Sequence, residues 1–188
     1  PIDGTTSFYN SCREWGVMIS HLVEHQPVRA VVYLPALGVL ATGAHRQGCY
    51  LNGVSLRLQQ EKPLDKILLG FEAGPWWVRD PSGACEQVLL PLLRAFAARS
   101  LMSSAASTVA LLRGETGAYV NVRIGKPWDF APGTLLVREA GGIACAPDGT
   151  ELRWDTMRTM DVVFAASRPI LEVILAITRP WYEHLRTS

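Results

Sequence analysis

Short apolar runs separated by turn-forming residues occupy the first third of the chain. The runs are rich in β-branched residues and end near Gly, Pro or Asn, a pattern typical of β-strands joined by tight turns. The pair Asn52-Gly53 favours a two-residue hairpin turn. The pattern therefore predicts sequential antiparallel strands at residues 16–23, 28–34, 39–44 and 48–58, with the last run turning at the Asn-Gly pair.

From residue 67 onward, the pattern mixes strands with helices. Val88, Leu92 and Phe96 recur at helical spacing and predict a helix over 85–98, in which Pro91 is expected to introduce a kink. A loop rich in Gly, Pro and Trp is predicted before that helix, after residue 72. Further helices are predicted at 107–113, 129–140 and 170–177, and strands at 67–72, 118–122, 143–146 and 162–166.

The helix predicted at 129–140 has clear signals at both ends. Asp129 is expected to be its N-cap, Pro132 falls in the tolerated first turn, and Gly141 stops it. With the other elements, this order predicts an α/β protein whose layers contain both parallel and antiparallel strands.

Length and composition predict a single folded domain. The chain has 188 residues, close to the size of one domain at ~150 residues per domain. Hydrophobic residues make up 48% and charged residues 19%, which excludes an intrinsically disordered protein. The predicted elements divide the domain into an antiparallel lobe, residues 1–66, and a mixed α/β lobe, residues 67–188.

The charge balance and the cysteines narrow the expected partners and location. The chain carries 18 Lys and Arg against 17 Asp and Glu and shows no basic stripe, which argues against a nucleic-acid partner. No apolar run approaches the ~20 residues that a membrane span needs, and no signal peptide is expected. The cysteines lie far apart, which favours reduced thiols in a cytoplasmic protein. They are Cys12, Cys49, Cys85 and Cys145.

Two short segments combine a carboxylate with backbone geometry suited to phosphate. In Asp3-Gly4-Thr5-Thr6, a helix start would point several N–H groups outward at its positive end, which favours an anion. In the second segment, Asp129 lies at a predicted helix N-terminus. Both carboxylates are hard oxygen donors that suit Mg²⁺ bound together with a phosphate. Taken alone, each segment is more often only a turn or only a helix cap.

Together, the two segments resemble the signatures of the inositol monophosphatase family. P-I-D-G-T-T-S-F resembles the first signature, D-P-x-D-G-T-x-N-F, and W-D-F-A-P-G with the later E-A-G-G resembles the second, W-D-x-A-A-G. The segments at 29–33 and 48–53 are also similar, so the resemblance covers nearly the whole chain. It implies the layered α-β-α-β-α sandwich of the family, here lacking its N-terminal helices, because the chain begins within the first signature.

The resemblance also implies the residues of an active site. Asp3 and the backbone carbonyl of Ile2 would bind the catalytic Mg²⁺, for which Mn²⁺ is an alternative, and Asp129 would be a further ligand. Gly4 and Thr5 would hold the phosphate, and Thr5 would orient the attacking water. The remaining substrate contacts implied by the family are Ser103, Ser104, Ala105 and Asn121, the last standing near the position of a substrate-selecting acidic residue.

The activity implied is that of a Mg²⁺-dependent phosphomonoesterase acting on a small, polar, inositol-phosphate-like ester, and a homodimer is expected. Sugar bisphosphates, nucleotide bisphosphates and histidinol phosphate remain alternative substrates. The first Asp of the D-P-x-D signature and the family's upstream glutamate pair are not in this chain. The alternative hypothesis is therefore a catalytically impaired family member that acts as a binding or assembly module.

Overall fold

The first of two β-sheets is a simple antiparallel meander. The computed structural model describes residues 2–59, 62–72, 79 and 83–187. Within them, the strands of the first sheet follow one another in chain order, and every neighbouring pair is antiparallel. These strands are β1 (Val17–Val23), β2 (Gln26–Leu34), β3 (Val39–Ala44), β4 (Gly48–Leu51) and β5 (Val54–Leu56).

The run predicted at 48–58 forms two strands, β4 and β5, rather than one, and turns where predicted. Asn52 and Gly53 have φ angles of 48° and 79°, the left-handed conformation that a tight hairpin turn requires. The Asn52 side chain fixes the turn to the neighbouring hairpin, since its Oδ1 accepts a hydrogen bond of 2.7 Å from the Leu40 backbone N–H.

The second sheet contains both parallel and antiparallel pairs. Its strands are β6 (Leu68–Phe71), β7 (Ala97–Ser100), β8 (Ala118–Gly125), β9 (Ile143–Cys145) and β10 (Met160–Ala165). Their order among the described strands is β7-β6-β8-β10-β9, with β6 parallel to β7 and β8, and β10 antiparallel to β8 and β9. This mixture confirms the predicted α/β class.

The helices form one layer between the sheets and another outside the second sheet. The helices are α1 (Thr5–Tyr9), α2 (Leu90–Ala95), α3 (Ser104–Leu112), α4 (Pro127–Glu139) and α5 (Arg168–Thr187). α3 and α4 lie in the middle layer, where α4 packs on β2 of the first sheet and on β9 and β10 of the second. α5 packs on the outer side of β10. The described layers follow the order sheet, helices, sheet, helices, which agrees with the predicted sandwich.

The helix predicted at 85–98 is shorter than expected, and a strand was missed. A π-helical turn, Cys85–Leu89, leads into α2, which ends at Ala95. Val88, Leu92 and Phe96, the residues whose spacing predicted the helix, are all buried. The chain then enters β7, whose Ala-Ala-Arg-Ser sequence has little strand propensity of its own and is extended because it pairs with β6. Most of the predicted Gly/Pro/Trp loop lies outside the described residues.

The prediction that Asp129 is an N-cap was wrong. Pro127 occupies the first position of α4, where its missing N–H costs nothing, and Lys126 is the N-cap. Asp129 is the third helical residue, and its side chain reaches back to accept a 2.8 Å hydrogen bond from the Lys126 backbone N–H.

Two further helix boundaries differ from the prediction. α3 begins three residues early because Ser103 caps it, accepting a 3.1 Å hydrogen bond from the Ala106 N–H. α5 continues through Pro180, since the buried Trp181 packs the following turn against the core. No described helix has both the length and the apolar character to cross a membrane.

Gly133 allows α4 to approach its neighbours, and Gly133→Ala should destabilise the fold. An added Cβ would lie 2.7 Å from the Thr108 Oγ1 and 2.8 Å from the Phe164 ring. Ala gains about 1 kcal/mol of helix propensity, but overpacking costs about 1–3 kcal/mol, so the free energy of unfolding in urea should fall. Gly70→Ala is the control, since its nearest new neighbour is 3.2 Å away and its loss should be smaller. Equal stability of Gly133→Ala and the wild type would contradict this packing.

Candidate active site

Asp3 is fixed between the first sheet and the start of α3. Its backbone pairs with Gly16 through hydrogen bonds of 2.8 and 3.0 Å. Its Oδ2 accepts hydrogen bonds from the Ser103 hydroxyl at 2.6 Å and the Ala105 N–H at 2.8 Å. Burial raises the pKa of Asp3, and these hydrogen bonds only partly oppose it. A desolvated carboxylate is therefore held in place at a helix N-terminus.

Gly4 allows the chain to turn tightly between Asp3 and α1. It has a φ of 77°, and an added Cβ would lie 2.7 Å from the Ser103 Cβ and 3.1 Å from the Glu14 carbonyl oxygen. Both the conformation and the space require glycine. Thr5 then begins α1 with an exposed side chain, whose hydroxyl donates a 3.4 Å hydrogen bond to the Ile2 carbonyl.

Asp129 and Asp3 line one cleft. The cleft has a volume of about 410 Å³, and the described residues that line it are Ile2, Asp3, Met18, Trp128 and Asp129. Burial raises the pKa of Asp129, and the negative charge of Asp3 raises it further. The structure thus brings together the three predicted metal-binding positions, although Asp3 and Asp129 are far apart in sequence.

The donor set of the cleft fits a magnesium ion. No group of three or more His, Cys, Asp or Glu side chains in the described ranges is arranged to hold a metal alone. Mg²⁺ does not need such a cage, since it commonly binds one or two carboxylates and completes its shell with water and substrate phosphate. Two partly desolvated carboxylates that repel each other would be relieved by a bound dication.

Ser103, Ser104 and Ala105 do not line the cleft in this structure. Ser103 and Ala105 hold the Asp3 carboxylate, and the Ser104 hydroxyl points away from it and donates a 3.2 Å hydrogen bond to Glu72. The three residues are buried behind Asp3. Their predicted contact with substrate stays a prediction.

Asn121 is also buried and lies in the network around Glu72. Its Nδ2 donates a 2.8 Å hydrogen bond to the Tyr119 hydroxyl, which in turn donates to Glu72. Its Oδ1 is buried without a hydrogen-bond partner in the described part of the chain. The proposed selection of substrate by Asn121 likewise remains a prediction.

Glu72 is a buried carboxylate that the sequence analysis did not single out, and its pKa is affected by the charges of Asp3 and Asp129. It follows β6 and is almost fully buried, with its Oε1 accepting hydrogen bonds from Ser104 and Tyr119. Burial raises its pKa to about 7, and the charges of Asp3 and Asp129 contribute to the increase. The only sequence signal was a single acidic residue directly after an apolar strand.

The family model of the inositol monophosphatase family matches residues 1–180. The chain belongs to this family. It is 34% identical over 158 residues to inositol monophosphatase 2 of Solanum lycopersicum, which covers 80% of this chain and 57% of the relative. It is also 34% identical over 146 residues to Nus factor SuhB of Escherichia coli K12, covering 76% of this chain and 53% of the relative.

The fold is that of solved family structures. SaIMPase-II bound to 2′-AMP superposes with a TM-score of 0.84 at 23% identity, covering 100% of this chain and 70% of that one. The chain spans little more than half the length of the curated relatives above. The family model covers every residue that lines the cleft.

Glu72→Gln should make stability less dependent on pH. The folded-state pKa of Glu72, about 7, exceeds the ordinary value of 4.5. The folded protein therefore binds the proton of the Glu72 carboxyl more tightly than the unfolded chain does. The stabilisation that this proton gives is fully present below pH 4.5 and is lost as the pH rises through about 7. Chemical unfolding at pH 5.5 and pH 8 should show a smaller stability difference in Glu72→Gln than in the wild type. The exposed Glu172→Gln is the control, and an unchanged pH dependence in Glu72→Gln would contradict the prediction.

Proposed function

We propose that this chain carries the active site of a Mg²⁺-dependent phosphomonoesterase, a hydrolase of small phosphate esters. The observation that supports this most strongly is the convergence of Asp3 and Asp129, from different layers of the fold, on one cleft. Family membership supports the same class of reaction. The chain spans only part of the length of its relatives, so the proposal includes the statement that this chain is itself active.

Asp3, Asp129 and the Ile2 carbonyl would hold the metal, for which Mn²⁺ can substitute. When bound, such an ion polarises the phosphate and lowers the pKa of a coordinated water. Asp3 is prepared for this role because Ser103 and Ala105 fix its orientation before any ligand arrives. Asp129 is fixed in the same way by the Lys126 N–H.

Gly4 and Thr5 would receive the phosphate beside the metal. The close packing of Gly4 on Ser103 brings the backbone of the first turn of α1 next to Asp3. The N–H groups at a helix start favour an anion. The exposed Thr5 hydroxyl, near the Ile2 carbonyl, would orient the attacking water. Hydrolysis would then proceed by direct attack of water on phosphorus, with the alcohol as the leaving group.

The second candidate function is that of a binding or assembly module without turnover. It is favoured by the relative that bears the name Nus factor SuhB, at the same identity as the plant inositol monophosphatase. The two candidates differ in one measurable respect. An assembly module can bind Mg²⁺ and phosphate at the cleft without hydrolysing an ester.

We also propose that the protein is cytoplasmic and forms a homodimer. The free cysteines favour a reducing compartment. The outer face of the first sheet exposes a group of apolar side chains, and such patches favour association. These side chains are Ile19, Tyr33, Leu40 and Tyr50. Sedimentation velocity at micromolar concentration should report a dimer, and a well-behaved monomer would contradict this proposal.

Asp129→Asn should abolish most of the proposed activity. Removing one of two negative ligands should weaken Mg²⁺ binding by more than about tenfold in calorimetry and reduce hydrolysis of inositol 1-phosphate in parallel. Asp65→Asn, at an exposed site, is the matched control. Equal Mg²⁺ affinity in Asp129→Asn and the wild type would remove Asp129 from the site. Mg²⁺ binding by the wild type without any hydrolysis would favour the assembly module instead.

A further inference from the structure

The two oxygens of the Asp3 carboxylate are not equivalent. Oδ2 accepts hydrogen bonds from the Ser103 hydroxyl at 2.6 Å and from the Ala105 N–H at 2.8 Å. The Ser104 N–H contributes a weaker interaction with the same carboxylate. Each oxygen of a carboxylate has about two acceptor sites, so the start of α3 already occupies those of Oδ2. A metal ion in the cleft is left with Oδ1 of Asp3.

The second partner of Ser103 fixes the direction of its hydroxyl. Ser103 is the N-cap of α3, and its Oγ accepts a 3.1 Å hydrogen bond from the Ala106 N–H. The single hydroxyl hydrogen then points to Asp3, because an ionised carboxylate can accept a hydrogen bond but cannot donate one. Ser103 is only 1% exposed, so water does not compete for this hydrogen. The occupation of Oδ2 is therefore part of the way in which α3 begins.

Asp129 is held differently. Its Oδ2 accepts a 2.8 Å hydrogen bond from the Lys126 N–H, and no second donor to Asp129 is found within the described ranges of the chain. Acceptor sites therefore remain on both of its oxygens. Asp129 can bind an ion through one oxygen or through both, whereas Asp3 is limited to one.

This limit on Asp3 affects Mg²⁺ and Ca²⁺ unequally. Mg²⁺ requires a near-octahedral shell, keeps several waters and needs only one oxygen from each carboxylate. Ca²⁺ is larger, takes more oxygen ligands and commonly binds both oxygens of a carboxylate. A carboxylate with one occupied oxygen therefore satisfies Mg²⁺ but withholds a ligand from Ca²⁺.

We propose that Ser103 is a specificity-determining residue that makes the cleft favour Mg²⁺ over Ca²⁺. Its hydroxyl occupies the second oxygen of Asp3 and so limits that carboxylate to one bond with the ion. The inference rests on the proposed function, because it requires a divalent ion at Asp3 and Asp129. It deepens that function by naming the residue that selects the ion.

The test compares the Mg²⁺ and Ca²⁺ affinities of the wild type and of Ser103 variants by calorimetry. Ser103→Gly removes the hydroxyl with little loss of stability, since Gly is tolerated at an N-cap, whereas Ser103→Ala removes it with a larger loss. In both variants the ratio of Mg²⁺ to Ca²⁺ affinity should fall by about tenfold, because Ca²⁺ gains an oxygen ligand and Mg²⁺ loses a fixed one. A role that was only structural would change the ratio in Ser103→Ala and spare it in Ser103→Gly.

Two further variants serve as controls. Ser103→Thr keeps the hydroxyl and should keep the wild-type ratio. Ser107→Ala removes another buried hydroxyl of α3, one without a hydrogen-bond partner in the described part of the chain, and should leave the ratio unchanged. A crystal of the wild type soaked in Ca²⁺ needs no variant. The ion should contact Oδ1 of Asp3 alone, and contact with both oxygens would overturn the inference.

The outcomes separate this inference from the proposed function. An unchanged ratio in Ser103→Gly would overturn the inference, as would equal affinity of the wild type for the two ions. Hydrolysis of inositol 1-phosphate with Mg²⁺ is measured in parallel. Hydrolysis with an unchanged ratio would reject the selection by Ser103 and leave the proposed function intact. A ratio that depends on the hydroxyl, without any hydrolysis, would reject the proposed function and leave the selection intact.

Discussion

The hydrogen bonds between the Asp3 carboxylate and the start of α3 are the interaction on which the site depends. They join a segment at the beginning of the chain to a helix about one hundred residues later. The same contact fixes the turn at Gly4, because that glycine packs directly on Ser103. A helix N-terminus stabilises a carboxylate in the first turn. The contact between Asp3 and the start of α3 therefore sets both the position of the Asp3 carboxylate and its electrostatic environment.

Electrostatic repulsion between the carboxylates of the site explains why the site favours a cation. Asp3, Asp129 and Glu72 are partly or fully buried, and burial raises the pKa of all three. Each carboxylate is held by hydrogen bonds that the protein supplies at a fixed place. The middle helical layer makes this possible, since α3 holds Asp3 and Glu72 while α4 carries Asp129. A dication bound in the cleft would relieve the repulsion between these fixed carboxylates.

The sequence alone predicted most of the local elements, but it did not predict the direction of the side chains. Alternating apolar residues and the Asn52-Gly53 turn predict the first sheet closely, and β3 has the predicted bounds. β7 was not predicted because its extended conformation depends on pairing with β6. Asp129 was wrongly predicted to be the N-cap because α4 begins two residues earlier, at Pro127. The resemblance to the family signatures predicted that Asp3 and Asp129 belong to one site, which a local sequence pattern cannot indicate. Glu72 and the inward direction of Ser104 follow from how α3 sits on the second sheet, and a linear pattern does not contain that information.

We propose that Asp3 and Asp129 hold one divalent metal ion between them. The most direct test is a crystal structure of the protein soaked in Mn²⁺, with the ion located by its anomalous scattering. We expect a peak in the cleft within about 2.0–2.3 Å of a carboxylate oxygen of each residue, a typical distance for small divalent ions on oxygen ligands. A peak bound by only one of the two carboxylates, or lying outside the cleft, would contradict it.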